Sequence, residues 1–120
     1  MKRMTGAHAA VECLEQEGIE YVFGMCGHAN LPLLDVLADS KIKFISVPHE
    51  QIAAHAAHCY FRVTHRPAVV LTTVGPGLGN TVNGVMDAAA DCSAMVVISG
   101  NVPSTYGPRG VSGAGRSRRR

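Results

Sequence analysis

Residues 68–80 read AVVLTTVGPGLGN, and this stretch decides the fold. Its first half is apolar throughout rather than alternating, a pattern typical of a strand covered on both faces of a parallel sheet. Its second half is rich in glycine and proline, which marks a tight turn into a helix. Residues 95–99, MVVIS, have the same continuous apolar character. We therefore predict strands at Ala68–Thr73 and Met95–Ser99, each covered on both faces.

Helices and further strands surround this stretch. Two more strand-like runs lie at Tyr21–Phe23 and Ile42–Val47. Helical patterns separate the strands, at Thr5–Glu17 and at about Leu31–Ala38, Gln51–Val63 and Gly79–Ala90. Such an alternation with short connections predicts an α/β fold, a doubly wound parallel sheet of about four strands with helices on both faces.

Local signals define several details of these elements. Thr5 is the expected N-cap of the first helix, and Gly18 is its expected C-terminal stop. Asn30 is the expected cap of the second helix. Cys13 and Cys92 lie in apolar contexts and are interpreted as buried small apolar groups.

Length and charge place limits on the class of protein. The chain has 120 residues, of which 47% are hydrophobic, enough for one domain with a core. Residues 1–108 carry six basic and nine acidic side chains, so their net charge of −3 argues against a nucleic-acid-binding surface. Residues 109–120 are rich in glycine, serine and arginine and are predicted to form a disordered tail. A truncation or a frameshift explains this ending better than an RNA- or membrane-binding arm.

Cysteine usage and hydropathy predict the compartment. The four cysteines form no Cys-x-x-Cys pair and are interpreted as reduced thiols of a cytoplasmic protein. The N-terminus lacks the apolar core of a signal peptide, and no apolar run reaches the roughly 18 residues that span a bilayer. We therefore expect a soluble chain that does not bind membranes.

The turns that follow the four predicted strands should meet at one edge of the sheet, because parallel strands all end at the same edge. Ligands of such folds bind at this edge, outside the carboxyl ends of the strands. The turn at residues 75–80 resembles a phosphate loop but has no lysine, and Asn80 stands where a dinucleotide fingerprint needs glycine. A tight strand-to-helix turn is the alternative interpretation of that loop.

Glu50 is the most informative residue at this edge. It follows the second strand and precedes the alanine-rich segment IAAHAAHC. A helix N-terminus favours the charged carboxylate by about 0.3–1 kcal/mol, whereas full burial favours the protonated acid more strongly. If Glu50 is buried it becomes a proton donor near neutral pH; the alternative is an exposed glutamate at a helix start.

Five segments in a fixed order carry a family resemblance. They read TGAHAAVECLEQEGIEYVFG, the Gly-x-x-Gly loop at 24–27, HEQIAAHAAHCYFR, RPAVVLTTVGPGLGN and MVVISGNVP. Together, over residues 4–106, they make the chain resemble the N-terminal pyrimidine-binding domain of thiamine-diphosphate-dependent enzymes. The resemblance is to the acetolactate synthase, pyruvate oxidase and benzoylformate decarboxylase group. Residues 1–108 would then be an incomplete, truncated form of that domain.

The resemblance implies a role for each matched residue. Glu50 would hydrogen-bond N1′ of the cofactor's aminopyrimidine ring and so activate thiamine diphosphate. The wall around that ring would be formed by Cys26, Gly27, Thr73, Gly75, Pro76 and Asn80. The substrate side would be lined by Met25, His28 and Asn101, with His28 handling protons near the reacting carbon. A solvent-facing loop histidine is the equal alternative for His28.

The resemblance also implies that the rest of the site lies elsewhere. The family binds the diphosphate and Mg²⁺ through a Gly-Asp-Gly…Asn motif on another domain, usually of a second subunit, and no Gly-Asp-Gly occurs in this chain. We therefore expect a homo-oligomer, and a chain that alone is inactive. If MVVIS lies at an open edge of the sheet, the chain should also self-associate.

Departures from the family pattern limit these expectations. Cys26 replaces a common proline, His58-Cys59 replaces Asp-Gly, and Asn101 stands where glutamine is frequent. His55, His58 and Cys59 have the spacing of one helical face and could bind zinc, but helix packing is the preferred interpretation and we predict no metal site. Two other functions stay open: a non-catalytic subunit-interaction fragment, and an unrelated flavodoxin-like phosphate or nucleotide binder.

Overall fold

The computed structural model describes residues 4–103, which form a four-stranded parallel sheet with helices on both faces. The strands are β1 (Tyr21–Gly24), β2 (Lys43–Ser46), β3 (Ala68–Thr72) and β4 (Met95–Ser99). The helices are α1 (Gly6–Gln16), α2 (Leu31–Ala38), α3 (Glu50–Thr64), α4 (Pro76–Gly79) and α5 (Val82–Ala90), and a 3₁₀ turn (His28–Asn30) precedes α2. The sheet order is β2-β1-β3-β4, so the predicted fold class is confirmed.

Strand β3 is the centre of the sheet. It pairs with β1 on one side and β4 on the other, and all five of its residues are buried. Val69 and Leu71 pack into a core with Val11 and Leu37 of α1 and α2. Each such fully buried Val or Leu stabilises the fold by about 1.5–3 kcal/mol, which is why the apolar run is continuous.

The opposite face of β3 packs against α3 through small side chains. Ala68 and Val70 contact Ala53, Ala54 and Ala57, all of which are completely buried. Helix α5 packs on α3 just as closely, because a Cβ added at Gly84 would lie 2.5 Å from Cβ of Ala54. The alanine-rich segment therefore sets a short distance between α3 and both of its neighbours.

Several local predictions are confirmed. The Thr5 hydroxyl accepts a hydrogen bond from the backbone N–H of His8 at 3.3 Å and so caps α1. Gly18 has a φ of 75°, a left-handed conformation that ends the helix and that glycine adopts without strain.

Three predictions about the elements are wrong. Strand β4 is not covered on both faces: it is the outermost strand among residues 4–103, and Val96 is 40% exposed. The predicted helix Gly79–Ala90 is two helices, because the helical turn begins already at Pro76 and breaks at Asn80 and Thr81. Asn30 does not cap α2 with its side chain.

The interpretation of two cysteines is also wrong. Cys13 and Cys92 are exposed rather than buried. Val11 and Leu14 supply the buried side of α1, which leaves Cys13 on its solvent side. Cys92 follows the end of α5 with a φ of 54°. All four cysteines are free thiols.

The predicted tail at 109–120 and the last residues of the predicted 1–108 domain lie outside the described residues. Within residues 4–103, no helix combines the length and apolar character that crossing a bilayer requires.

Candidate functional site

The carboxyl ends of β1 and β3 bring two turns into direct contact. Gly24 ends β1 so close to β3 that an added Cβ would lie 2.1 Å from the Leu71 carbonyl oxygen. The Met25 backbone N–H donates to that same oxygen at 3.3 Å. The absence of a side chain at Gly24 is therefore what allows the 25–27 turn to begin beside the turn after β3.

Glu50 lies at this edge as the first residue of α3 and is only 7% exposed. Its Oε2 accepts a hydrogen bond from Asn80 Nδ2 at 3.0 Å. Among residues 4–103, no group donates a hydrogen bond to its Oε1, and no cationic side chain pairs with the carboxylate. Every fully buried side-chain oxygen in residues 4–103 has a hydrogen-bond partner. Because Oε1 has none, it is not fully buried and can be reached by a ligand. The α3 N-terminus adds favourable electrostatic potential for a carboxylate.

Thr73 connects the loop after β1 to the glutamate. A Cβ added at Gly27 would lie 2.5 Å from both Cβ and Oγ1 of Thr73. A Cβ added at Gly77 would lie 3.0 Å from Thr73 Cγ2 and 3.2 Å from Glu50 Oε1. The Thr73 carbonyl oxygen in turn accepts a hydrogen bond from Ser99 Oγ at 3.1 Å. The loop after β1, the turn after β3, the start of α3 and the end of β4 thus form one contiguous surface.

The turn after β3 has the geometry of a strand-to-helix switch. Gly75 has a φ of 59° and a ψ of −112°, which favours glycine over residues with a Cβ. Pro76 follows at the first turn of α4, where its fixed φ suits a helix start. This geometry carries the chain directly to Asn80, which ends α4 with its amide on Glu50.

Asn30 is a structural residue that sequence reasoning missed. Its side chain is 2% exposed. The Oδ1 atom accepts from the Gly27 backbone N–H, and Nδ2 donates to the Met25 carbonyl oxygen, both at 2.9 Å. Asn30 therefore fixes the 25–27 turn instead of capping α2. The only signal was its position three residues after Gly27.

The remaining predicted residues surround this surface without a described contact to Glu50. Cys26 and His28 are exposed, and Met25 is half-buried. Asn101 is exposed and accepts the Val102 backbone N–H on its own side chain at 2.8 Å. Gly100 nevertheless brings this segment near the 3₁₀ turn, because its added Cβ would lie 2.6 Å from Cβ of Ala29.

Other polar clusters lie away from this edge. Tyr60 donates to Glu20 Oε2 at 3.0 Å, and Glu20 also pairs with Arg66. Burial, and then the Glu20 carboxylate, raises the pKa of Tyr60. A cavity of about 440 Å³ lies between α1 and α2, and none of the residues at the carboxyl edge lines it. The candidate site therefore rests on the meeting of turns and not on that cavity.

Comparison with known proteins identifies a family that the chain matches. Residues 4–114 match the family described as "Thiamine pyrophosphate enzyme, N-terminal TPP binding domain". This match covers most of the chain and includes all residues of the candidate site. It agrees with the resemblance seen in the sequence.

Similar proteins carry the name acetolactate synthase. The chain is 44% identical over 105 residues to the acetolactate synthase large subunit of Haemophilus influenzae, covering 87% of the chain and 18% of the relative. It is 46% identical over 104 residues to that of Corynebacterium glutamicum, covering 86% and 17%. It is 43% identical over 101 residues to a probable large subunit of Methanocaldococcus jannaschii, covering 84% and 17%. The chain thus spans less than a fifth of the length of these relatives.

We predict that Asn30→Ala destabilises the fold by about 1–3 kcal/mol, because it leaves the Gly27 N–H and the Met25 carbonyl without their partner in a part-buried turn. Urea denaturation measures the change in free energy of unfolding. Asn83→Ala, on the exposed side of α5, is the control and should stay close to wild type. Equal stability of the two variants would contradict the role of Asn30.

Proposed function

The chain belongs to the family of N-terminal TPP-binding domains of thiamine pyrophosphate enzymes, and we propose that its carboxyl edge is the pyrimidine-binding half of a thiamine diphosphate site. The parent activity that we propose is that of a 2-oxo acid decarboxylase and carboligase similar to acetolactate synthase, the name that its relatives carry. When bound, thiamine diphosphate supplies the nucleophilic carbon that adds to a 2-oxo acid.

One observation carries this proposal: Glu50 is buried and holds one carboxylate oxygen ready for a ligand. Asn80 fixes Oε2, while among residues 4–103 no side chain or backbone group binds Oε1. In its protonated form, a carboxyl group held in this way can donate a hydrogen bond to a ring nitrogen and transfer its proton to it. We propose that N1′ of the aminopyrimidine is that nitrogen.

The glycines next to Glu50 fit a flat ring. A side chain at Gly77 would approach both Oε1 and Thr73, and a side chain at Gly27 would collide with Thr73. Glycine at position 77 therefore leaves the space beside Oε1 open, and glycine at position 27 lets the loop after β1 pack against Thr73. We propose that Thr73, Gly75, Pro76 and Asn80 form one wall of the pyrimidine site, with Cys26 and Gly27 on the loop opposite.

A second group of residues is proposed to face the substrate. Met25 and His28 follow β1, and Asn101 follows β4, so both segments border the same edge. The exposed imidazole of His28 is available to a ligand, and an imidazole can act as a general acid or base. We propose that His28 handles a proton close to the reacting carbon.

The complementary half of the site is proposed to come from another chain. None of the 120 residues forms the Gly-Asp-Gly motif expected to hold Mg²⁺ and the diphosphate. We propose that a cofactor-diphosphate-binding domain of a second subunit supplies it, within a homo-oligomer, and that this chain alone does not turn over substrate. The four free thiols support a cytoplasmic location.

A non-catalytic subunit-interaction role of the same domain is the second candidate. Calorimetry with thiamine diphosphate and Mg²⁺, with and without a complementary cofactor-binding domain, separates the two functions. Cofactor binding that requires both parts supports the catalytic proposal. The family match gives no support to an unrelated nucleotide binder.

Glu50→Gln should abolish most turnover while preserving cofactor binding, because the amide keeps the hydrogen-bonding shape but cannot transfer a proton. We expect kcat to fall by about 100-fold or more. The measurement is acetolactate formation by the Haemophilus influenzae large subunit in which the matched residues of this chain replace its own. Glu12→Gln, on the exposed side of α1, should have no effect. A Glu50→Gln chimaera with full turnover would refute the proposal.

His28→Ala in the same chimaera should lower kcat and leave the Kd of thiamine diphosphate unchanged, because the imidazole acts on the substrate side. Steady-state kinetics and calorimetry read these two quantities. His65→Ala, which changes an exposed histidine at the end of α3, serves as the control. Unchanged turnover would remove His28 from the mechanism and leave the role of Glu50 intact.

Gly77→Ala should weaken thiamine diphosphate binding by about tenfold, or about 1.4 kcal/mol. The added methyl group would lie 3.2 Å from Glu50 Oε1 and 3.0 Å from Thr73 Cγ2, where the ring is proposed to bind. Gly79→Ala is a matched control in the same helix, since nothing lies within 4 Å of its added Cβ. Calorimetry on both chimaeras measures the difference, and equal affinities would exclude this placement of the ring.

A further inference from the structure

Helices α3 and α5 bring together three side chains that the proposed function does not use. His55 and His58 lie on α3 and Asp87 lies on α5. One ligand atom from each residue lies within 4.8 Å of the other two. We refer to these three residues as the α3–α5 cluster.

The close packing of the two helices places this cluster. Gly84 of α5 lies against Ala54 and the backbone of His55. Asp87 follows Gly84 by about one helical turn, and His58 follows Ala54 by about one turn. Both residues therefore lie on the helix faces that form the α3–α5 interface. Asp87 is thereby held close to Nδ1 of both imidazole rings.

The two distances from Asp87 to the histidines fit a shared metal ion as well as direct ion pairs. Asp87 Oδ2 lies 3.5 Å from His55 Nδ1 and 3.3 Å from His58 Nδ1. Both distances exceed the usual range of an N–H···O hydrogen bond, about 2.7–3.2 Å. In a tetrahedral zinc site with bonds of about 2.0–2.1 Å, neighbouring ligand atoms are about 3.3–3.4 Å apart. The observed distances lie close to that value.

A second carboxylate orients the buried histidine. His58 is 3% exposed, and its other ring nitrogen, Nε2, lies 3.2 Å from Asp91 Oδ2. Arg62 pairs with the same Asp91 oxygen at 3.3 Å. Metal-bound histidines commonly donate their second ring N–H to a carboxylate, which fixes the ring and its tautomer. Asp91 stands in that position and leaves Nδ1 of His58 turned toward Asp87.

We propose that the α3–α5 cluster binds one divalent transition-metal ion of the zinc class, through Nδ1 of His55, Nδ1 of His58 and a carboxylate oxygen of Asp87. Two imidazoles and one carboxylate form a ligand set suited to Zn²⁺, with a fourth position open to water. The side chains of His55 and Asp87 are 41% and 57% exposed, so an ion can enter from solvent. This site is independent of the Mg²⁺ proposed for the cofactor.

This ligand set differs from the one that the sequence spacing offered. Cys59 is exposed and contributes no atom to the cluster. Asp87 takes its place from another helix. An ion bound here would tie α3 to α5 and stabilise the folded chain, because a ligand that binds only the native state raises its melting temperature.

The test is a zinc titration of the full 120-residue chain against a chromophoric chelator, with the melting temperature recorded in parallel. Wild type should bind one equivalent of Zn²⁺ and melt at a higher temperature with zinc. His55→Gln and Asp87→Asn change a half-buried and an exposed residue and should each weaken binding by at least about tenfold, with Asp91→Asn weakening it by about 10–100-fold. Cys59→Ser should bind as wild type does.

The visible absorption spectrum of bound Co²⁺ gives an independent test of which side chains bind the metal ion. Co²⁺ bound at this site should show the visible absorption of a tetrahedral ion without a thiolate-to-cobalt charge-transfer band. Absence of the one-to-one event, equal affinity of wild type and Asp87→Asn, or loss of binding in Cys59→Ser would overturn the proposal. Unchanged affinity in Asp91→Asn would overturn the orienting role of Asp91.

Discussion

The hydrogen bond from Asn80 Nδ2 to Glu50 Oε2 holds a buried carboxylate at the sheet edge, and the arrangement of the surrounding turns depends on it. A carboxylate that leaves water without a partner costs several kcal/mol. Here the cost is offset by the Asn80 amide and by the positive end of α3. The contact with Asn80 requires that the turn after β3 reach the start of α3. Gly75 and Pro76 make this reach possible by starting α4 immediately after the strand.

The sheet could be predicted from the sequence because its central strand is a continuous run of mostly apolar residues. Ala68–Thr72 is buried at every position, so its sequence lacks the alternation of a half-exposed strand and indicates a strand that is covered on both faces. The run MVVIS has the same composition but lies at the edge, since composition does not reveal which strand has a second neighbour. The prediction of buried cysteines fails for a similar reason: an apolar context does not reveal that Cys13 lies on the solvent side of α1 or that Cys92 lies in the turn after α5.

The meeting of the turns also follows from topology, because all carboxyl ends of a parallel sheet lie at one edge. The individual contacts do not. Asn30 looks like a helix cap until Met25 and Gly27 are placed within reach of its amide. Likewise, spacing along α3 relates His55 to His58, but only the alignment of two helices brings Asp87 to them. Contacts between elements depend on distances that a single segment does not encode.

The packing distance between α3 and α5 affects the surroundings of both Glu50 and His58. The helix has 15 residues and is about 22 Å long, with Glu50 at its first position and His58 in its second half. Between them, Ala54 touches Gly84 of α5 with no room for a further methyl group. A larger residue at either position would force the helices apart, because packed interiors do not absorb a methylene without displacement. That displacement would move Asp87 away from His58 and would also shift the segment that leads from Asn80 into α5. The small residues of the α3–α5 interface therefore help to position Asn80 and Asp87 as well as to pack the core.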